Sequence, residues 1–240
     1  MSSPKSKITI WALLLVCALW LYLPLPVPSY AQATLSTGTL RGHVTVTSWK
    51  TLRDADIVKQ KRDDSCGAAA LATILRGFYG ENVTEEDILE VMGKTDQALP
   101  TNLPTFTDLA KAADQYGFLA DGLRWDFVIL QTLRIPVVVA LHYHGMPHYS
   151  VLRGISSDVV WLGDPSWGNR RLSKESFLAM WEDPERKKKN EIFTGGVLLI
   201  VPKSLASRGV NSDFFHSPER PILPVEFLSL TTRYKPMSSR

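Results

Sequence analysis

Cysteine is nearly missing from this chain. There are two in 240 residues, Cys17 and Cys66. Cys17 falls in a leading apolar stretch, so a disulfide framework is excluded for the rest. An excess of one charge is missing too. Lys plus Arg number 27, two of them (Lys5 and Lys7) in the leading segment, against 24 Asp plus Glu. Near neutrality gives no pull toward nucleic acid or an anionic membrane surface. No glycine-rich phosphate loop occurs, and no internal repeat. Long apolar runs are absent apart from residues 8–23.

That one run has a specific context. Lys5 and Lys7 precede it, and Pro24, Pro26 and Pro28 end any helix after it. Ala31-Gln32-Ala33 then fits a small-x-small cleavage rule, which predicts a signal peptide over 1–33 cut before Thr34. The rival reading is a retained membrane anchor, for which the run is a little short. Val16 before Cys17 is too large for a lipoprotein cleavage site. The expected location is the bacterial periplasm, with membrane contact only through the leading segment if it is kept. About 200 residues remain, enough for one domain with a core.

What is present begins with 60–71, QKRDDSCGAAAL. Helix formers follow Cys66 without a breaker until Gly77, so a helix is expected over 66–78 with Cys66 at its start. The helix dipole there favours a thiolate. Residues 34–53 read as a linker and edge strand. Thr84 should cap a helix over 85–92, and Thr105 or Thr107 should start another over 108–116. After 126–133, a short helix, the pattern turns to strands at 137–141, 148–153, 158–162 and 197–201, with a capped helix at 174–181. Helices first and antiparallel strands later predict an α+β fold over 54–202, with 203–240 as a C-terminal tail. The basic run 186–189 reads as a solvated loop.

A thiolate needs a base, and the base needs an orienter. His148 is expected to open a strand after a turn at Gly145-Met146-Pro147, and Asp164 to end the next strand. Pairing those strands as a hairpin puts His148 and Asp164 at one end of the sheet. A carboxylate there fixes the imidazole tautomer, leaving the other nitrogen for the thiol. The Gln60 side-chain amide and the Cys66 backbone N–H are candidate oxyanion donors.

Gln60, Cys66-Gly67 with small residues after it, His148-Tyr149-Ser150-Val151-Leu152 and Asp164-Pro165 occur in this order. Together they resemble the double-glycine leader peptidases, papain-like bacteriocin-processing cysteine peptidases, over 54–202. The resemblance implies a papain-like fold, Cys66 as nucleophile, His148 as general base and acid, Asp164 as orienter and Gln60 as oxyanion donor. It implies no cofactor and a peptide or protein substrate. Many members carry aspartate directly before the cysteine; here Ser65 stands there, after Asp63 and Asp64. Many are also domains of ATP-driven exporters, whereas these 240 residues hold no transporter segment. A free-standing exported form resembles proteases encoded with functional amyloid fibre systems.

Other readings of the same residues stand beside this one. Cys66 alone suits a buried inert thiol, and Asp164 alone a turn aspartate before proline. His142, His144 and His148 with Cys66 invite a zinc reading, but the turn interrupts the spacing and no acidic ligand helps. Asp63 and Asp64 suit a solvated loop or a patch for a basic substrate. Trp161, Trp167 and Trp181 suit the core or a cleft wall. As a whole, the chain reads as an exported cysteine endopeptidase. Its alternatives are a non-cleaving docking module for a secretion substrate and an acyl transfer other than hydrolysis.

Overall fold

The computed structural model describes residues 31–37, 40–93, 104–182, 195–204 and 210–215. Residues 1–30 of the expected signal peptide 1–33, residues 94–103, the basic run 186–189 and most of the tail lie outside these. Two units are present, one to Ser48 and one from Trp49 onward. In the first, β1 (Ala31–Thr37) and β2 (Leu40–Val46) form an antiparallel hairpin of their own, where a linker and an edge strand were expected. Within the described residues no helix is long and apolar enough to cross a membrane.

The second unit begins with α1 (Trp49–Asp54) and then α2 (Cys66–Gly77). Every residue of α2 from Cys66 to Leu75 is buried. Alanine at 68, 69, 70 and 72 makes that possible, because small side chains let neighbours approach on all sides. Next come α3 (Glu85–Val91) and α4 (Phe106–Gln115), each opened by a reciprocal capping box, Thr84 with Asp87 and Thr105 with Asp108. Of the two starts considered for α4, Thr105 is the one used.

β3 (Phe118–Trp125), α5 (Phe127–Thr132), β4 (Val137–Tyr143), β5 (Met146–Ile155), β6 (Val159–Asp164), β7 (Gly168–Ser173), α6 (Lys174–Trp181) and β8 (Gly195–Pro202) complete the order. The strands form one antiparallel six-stranded sheet, ordered β3-β8-β4-β5-β6-β7. α2 packs on β5 and β4, and α6 packs near β4, β6 and β7. The core joins Leu71, Ile74 and Leu75 of α2 to Val138, Val139, Val151, Leu152 and Leu198 of the sheet.

Two strands escape the sequence pattern. β3 contains Asp121-Gly122, which reads as a turn, yet Gly122 is a packing position. A side-chain carbon there would stand 3.2 Å from Phe106 Cβ. β7 is polar, GNRRLS, as an edge strand tends to be. α1 also stood in a segment read as linker.

The β4–β5 turn differs from expectation as well. It is made by His144 and Gly145, with φ of 49° and 82°, the two left-handed positions of a tight hairpin turn. Met146 and Pro147 belong to β5, so His148 is the strand's third residue and not its first.

Part of the tail is built into the domain. The 3-10 turn Ser212–Phe214 buries Phe214 and Phe215. Asn211 N–H donates to Phe78 O at 2.8 Å, and the Arg153 guanidinium lies 4.1 Å from the Phe214 ring centre. Phe214→Ala is expected to destabilise the fold by about 3–5 kcal/mol, read by denaturant unfolding. A change within experimental scatter would mean that this turn is not part of the cooperative unit.

Candidate functional site: a thiol, an imidazole and a carboxylate

Cys66 is the first residue of α2 and only 1% exposed. The residue before it does not cap the helix with its side chain. Instead, Ser65 Oγ turns back, donating to Arg62 O at 2.8 Å and accepting Arg62 N–H at 3.3 Å. The N-terminal N–H groups of α2 are thereby left for whatever sits beside the thiol. Gly67 follows because the Tyr149 ring lies across the helix here. A side-chain carbon at 67 would sit 3.0 Å from Tyr149 Cδ2 and 3.3 Å from Leu109 Cδ1.

Strand pairing brings in the other two groups. Val151 opposes Gly163, which places Asp164 at the same end of the sheet as His148. His148 Nε2 and Asp164 Oδ2 are 3.1 Å apart. The Cys66 side chain is close enough to the imidazole to favour its protonated form. With Nε2 donating to the carboxylate, Nδ1 is the nitrogen left for sulfur. The Asp164 side chain is 0% exposed and that of His148 11%.

Both partners are shifted from their ordinary values. Burial pulls the His148 pKa down. The hydrogen bonds to Asp164 and Cys66, and then their charges, outweigh it and raise the value from 6.5 to about 9. Burial pushes Asp164 up, but the bond and charge of His148 and the N–H groups of Trp167 and Ser166 leave it below its ordinary value. Those two N–H groups reach Asp164 Oδ1 at 3.1 and 2.9 Å. The carboxylate therefore has one oxygen held by the turn and one by the imidazole.

Gln60 stands against the same turn. Its N–H donates to Pro165 O at 3.1 Å, its Oε1 accepts from Ser166 Oγ at 2.7 Å, and its Nε2 donates to Arg62 O at 2.9 Å. The side-chain amide is thus oriented by both the Asp164 turn and the loop leading to Cys66.

Two residues that the sequence reading passed over hold this loop. Glu85, buried at the start of α3, accepts Lys61 N–H with both oxygens at 3.1 Å. Lys59 Nζ donates to Ser166 O at 2.6 Å. No local signal marked either one, since both act across distant segments.

The remaining candidates separate. Trp181 is core, with its Nε1–H donating to Gly196 O at 3.2 Å. Trp161 is half-buried on β6. Trp167 is exposed, with its ring centre 5.4 Å from the imidazole. Asp64 pairs with Arg62 at 3.3 Å in its own loop, and Asp63 is exposed. His142 is on β4 and His144 in the turn after it. Among the described residues no group of three or more His, Cys, Asp or Glu could hold a metal ion.

A helix bearing the cysteine, packed on an antiparallel sheet that carries the histidine and carboxylate, defines a papain-like cysteine peptidase. The peptidase domain of Streptococcus ComA, described as a bi-functional ABC transporter in a quorum-sensing pathway, has this fold. It aligns with a TM-score of 0.50 at 23% identity, over 61% of this chain and 97% of that one. Residues 54–184 match the Peptidase C39 family, and the chain belongs to that family, whose members are cysteine peptidases. It is similar to the probable functional amyloid protease FapD of Pseudomonas fluorescens, 38% identical over 168 residues, 68% of this chain and 74% of that protein. The protein of the same name from Pseudomonas aeruginosa is 34% identical over 138 residues, 57% of this chain and 61% of that one.

The raised His148 pKa has a signed consequence. Its stabilising share is complete below the ordinary value of 6.5 and is lost as pH rises through about 9. Asp164, depressed, contributes above its ordinary range and loses that share as pH falls through its folded value. Asp164→Asn is therefore expected to move the His148 ring titration, followed by NMR, to lower pH. The same titration curve in both proteins would mean that the carboxylate does not act on the imidazole.

Proposed function

We propose that this chain is an exported cysteine endopeptidase that cuts a secreted or periplasmic protein through Cys66, His148 and Asp164. The observation that carries the reading is the His148 ring, hydrogen-bonded to buried Asp164 and interacting with the thiol at the start of α2. The leading apolar segment with its cleavage pattern supports export. The two relatives bear the name of functional amyloid proteases, which favours a fibre subunit or a companion of its secretion as substrate.

In this mechanism Cys66 Sγ, its proton held by His148, attacks the scissile carbonyl carbon. The carbonyl oxygen becomes an oxyanion beside the Cys66 backbone N–H and the Gln60 side-chain amide. Collapse breaks the C–N bond as the imidazolium gives its proton to the leaving amine, and a thioester remains. His148 next takes a proton from water, which attacks the thioester. The carboxylic acid product leaves and the thiol returns. Asp164 stays ionised throughout, holding Nε2 and so the ring's orientation. Both steps pass through the same oxyanion position, so one pair of donors serves twice.

The test compares proteins recovered outside the cytoplasm from cells carrying the native chain or Cys66→Ala, with new termini mapped by mass spectrometry. Termini present only with the native chain identify the substrate and its cleavage motif. Identical sets of termini would sink the endopeptidase reading. On a substrate found this way, Gln60→Ala is expected to lose about 2.7–4 kcal/mol of transition-state stabilisation, seen in kcat. A kcat unchanged by this substitution would remove Gln60 from the oxyanion role.

A further inference from the structure

One face of the sheet carries a row of functional side chains across four neighbouring strands. Alternate residues of a strand share a face. The registers Leu141↔His148, Leu152↔Leu162, Leu162↔Arg170 and Asp164↔Gly168 place Tyr143 of β4, His148 of β5, Asp164 of β6 and Arg170 of β7 on the same side. Gly168, opposite Asp164, puts no side chain into this row.

Trp167 lies just before β7 and is exposed at 47%. Its N–H to Asp164 Oδ1 fixes the main chain but not the indole. An indole in water has little reason to stay over an imidazole unless something holds it. Two neighbours do. The Tyr143 ring centre is 4.8 Å from that of Trp167, and each of the two is 5.4 Å from the His148 ring. Arg170 closes the group. Its Nη1 donates to the Tyr143 hydroxyl at 2.7 Å, and its guanidinium lies 5.0 Å from the Trp167 ring centre and 5.6 Å from that of Tyr143. A flat cation against the faces of two aromatic rings favours their present arrangement over a splayed one.

We propose that Arg170 is a positioning residue for the His148–Asp164 pair: it locks Tyr143 and Trp167 into a cover that fixes the imidazole plane and excludes water from the Nε2–Oδ2 bond. The role rests on the reading of that pair as the working base and orienter. A bond shielded from water holds its charges more strongly than one that water can compete for. Arg170 acts on the reaction only through the two rings. Tyr143 shows the cost of that cover: burial, ahead of the opposing charge of Arg170, raises its phenol pKa.

The test follows the His148 ring by NMR and the rate of Cys66 alkylation by iodoacetamide, both against pH, in the full chain. Arg170→Met keeps the stem and removes the charge and donors. It is expected to lower the His148 pKa by about one unit, a tenfold shift in the imidazolium–imidazole equilibrium, because the bond to Asp164 opens to water. A rise, which loss of a neighbouring cation or relief of burial alone would give, would overturn the proposal. Arg170→Lys, which keeps a cation over the indole, recovers part of the lost unit. Trp167→Ala gives the same shift as Arg170→Met, and the double variant gives no more than either alone, because both act through one cover.

A wild-type titration in Arg170→Met, or shifts that add in the double variant, would overturn the proposal. If Arg170→Met does not fold by circular dichroism, Trp167→Ala decides, and an unshifted titration there overturns it. Asp164→Asn separates the two levels. If it leaves the titration in place, the pair itself fails and the positioning role with it. If it shifts the titration while Arg170→Met does not, only the positioning role falls.

Discussion

Three polar groups meet at the start of one helix, and two of them are cut off from water. A buried carboxylate is costly unless it is paired and hydrogen-bonded. Asp164 is both, with two turn N–H groups on one oxygen and the imidazole on the other. The imidazole in turn interacts with the thiol. His148 and Asp164 each keep their charged form against burial because the other is present, so the two act as a unit and not as separate residues. Around it the structure supplies position: an alanine-rich helix that can sink into the core, a tight hairpin that sets the β4–β5 register, and a glycine opposite the carboxylate.

Much of this was legible in the chain itself. Cys66 could be placed at a helix start because the residues after it form helices well and the residue next to it is glycine. Asp164 and His148 could be placed at one sheet end because both flank apolar strand runs. What escaped was non-local. β3 carries Asp121-Gly122, which has the chemistry of a turn; Phe106 packing on Gly122 makes it a strand. β7 has no apolar alternation and exists because β6 offers a free edge. The start of β5 was placed two residues too late because Pro147 reads as a breaker, although a strand tolerates proline near its start.

The supporting shell was equally hidden. Glu85 reads as an ordinary first-turn acid of α3, yet it is buried and holds Lys61 N–H. Lys59 reads as a surface charge, yet it binds the carbonyl of Ser166. Arg153 reads as a strand arginine, yet it donates to Phe214 O at 3.0 Å and lies under that ring. Each is a long side chain whose tip crosses to a segment far away in sequence. Single-chain patterns report the element a residue belongs to, not where its end arrives.

The order of these parts along the chain bears on when the thiol becomes reactive. Cys66 is made long before His148, and His148 before Asp164 and the strand that follows it. His148 and Asp164 meet through the β5–β6 hairpin, but Cys66 joins them only when α2 packs on β5, a contact between segments distant in sequence and slow to form. A nascent or unfolded chain therefore carries Cys66 with no base and no orienter beside it. On the proposed mechanism reactivity and the native sheet arrive together, so an incompletely folded copy has the thiol without the imidazole and carboxylate that would use it. On that reading, folding itself serves as the safety catch.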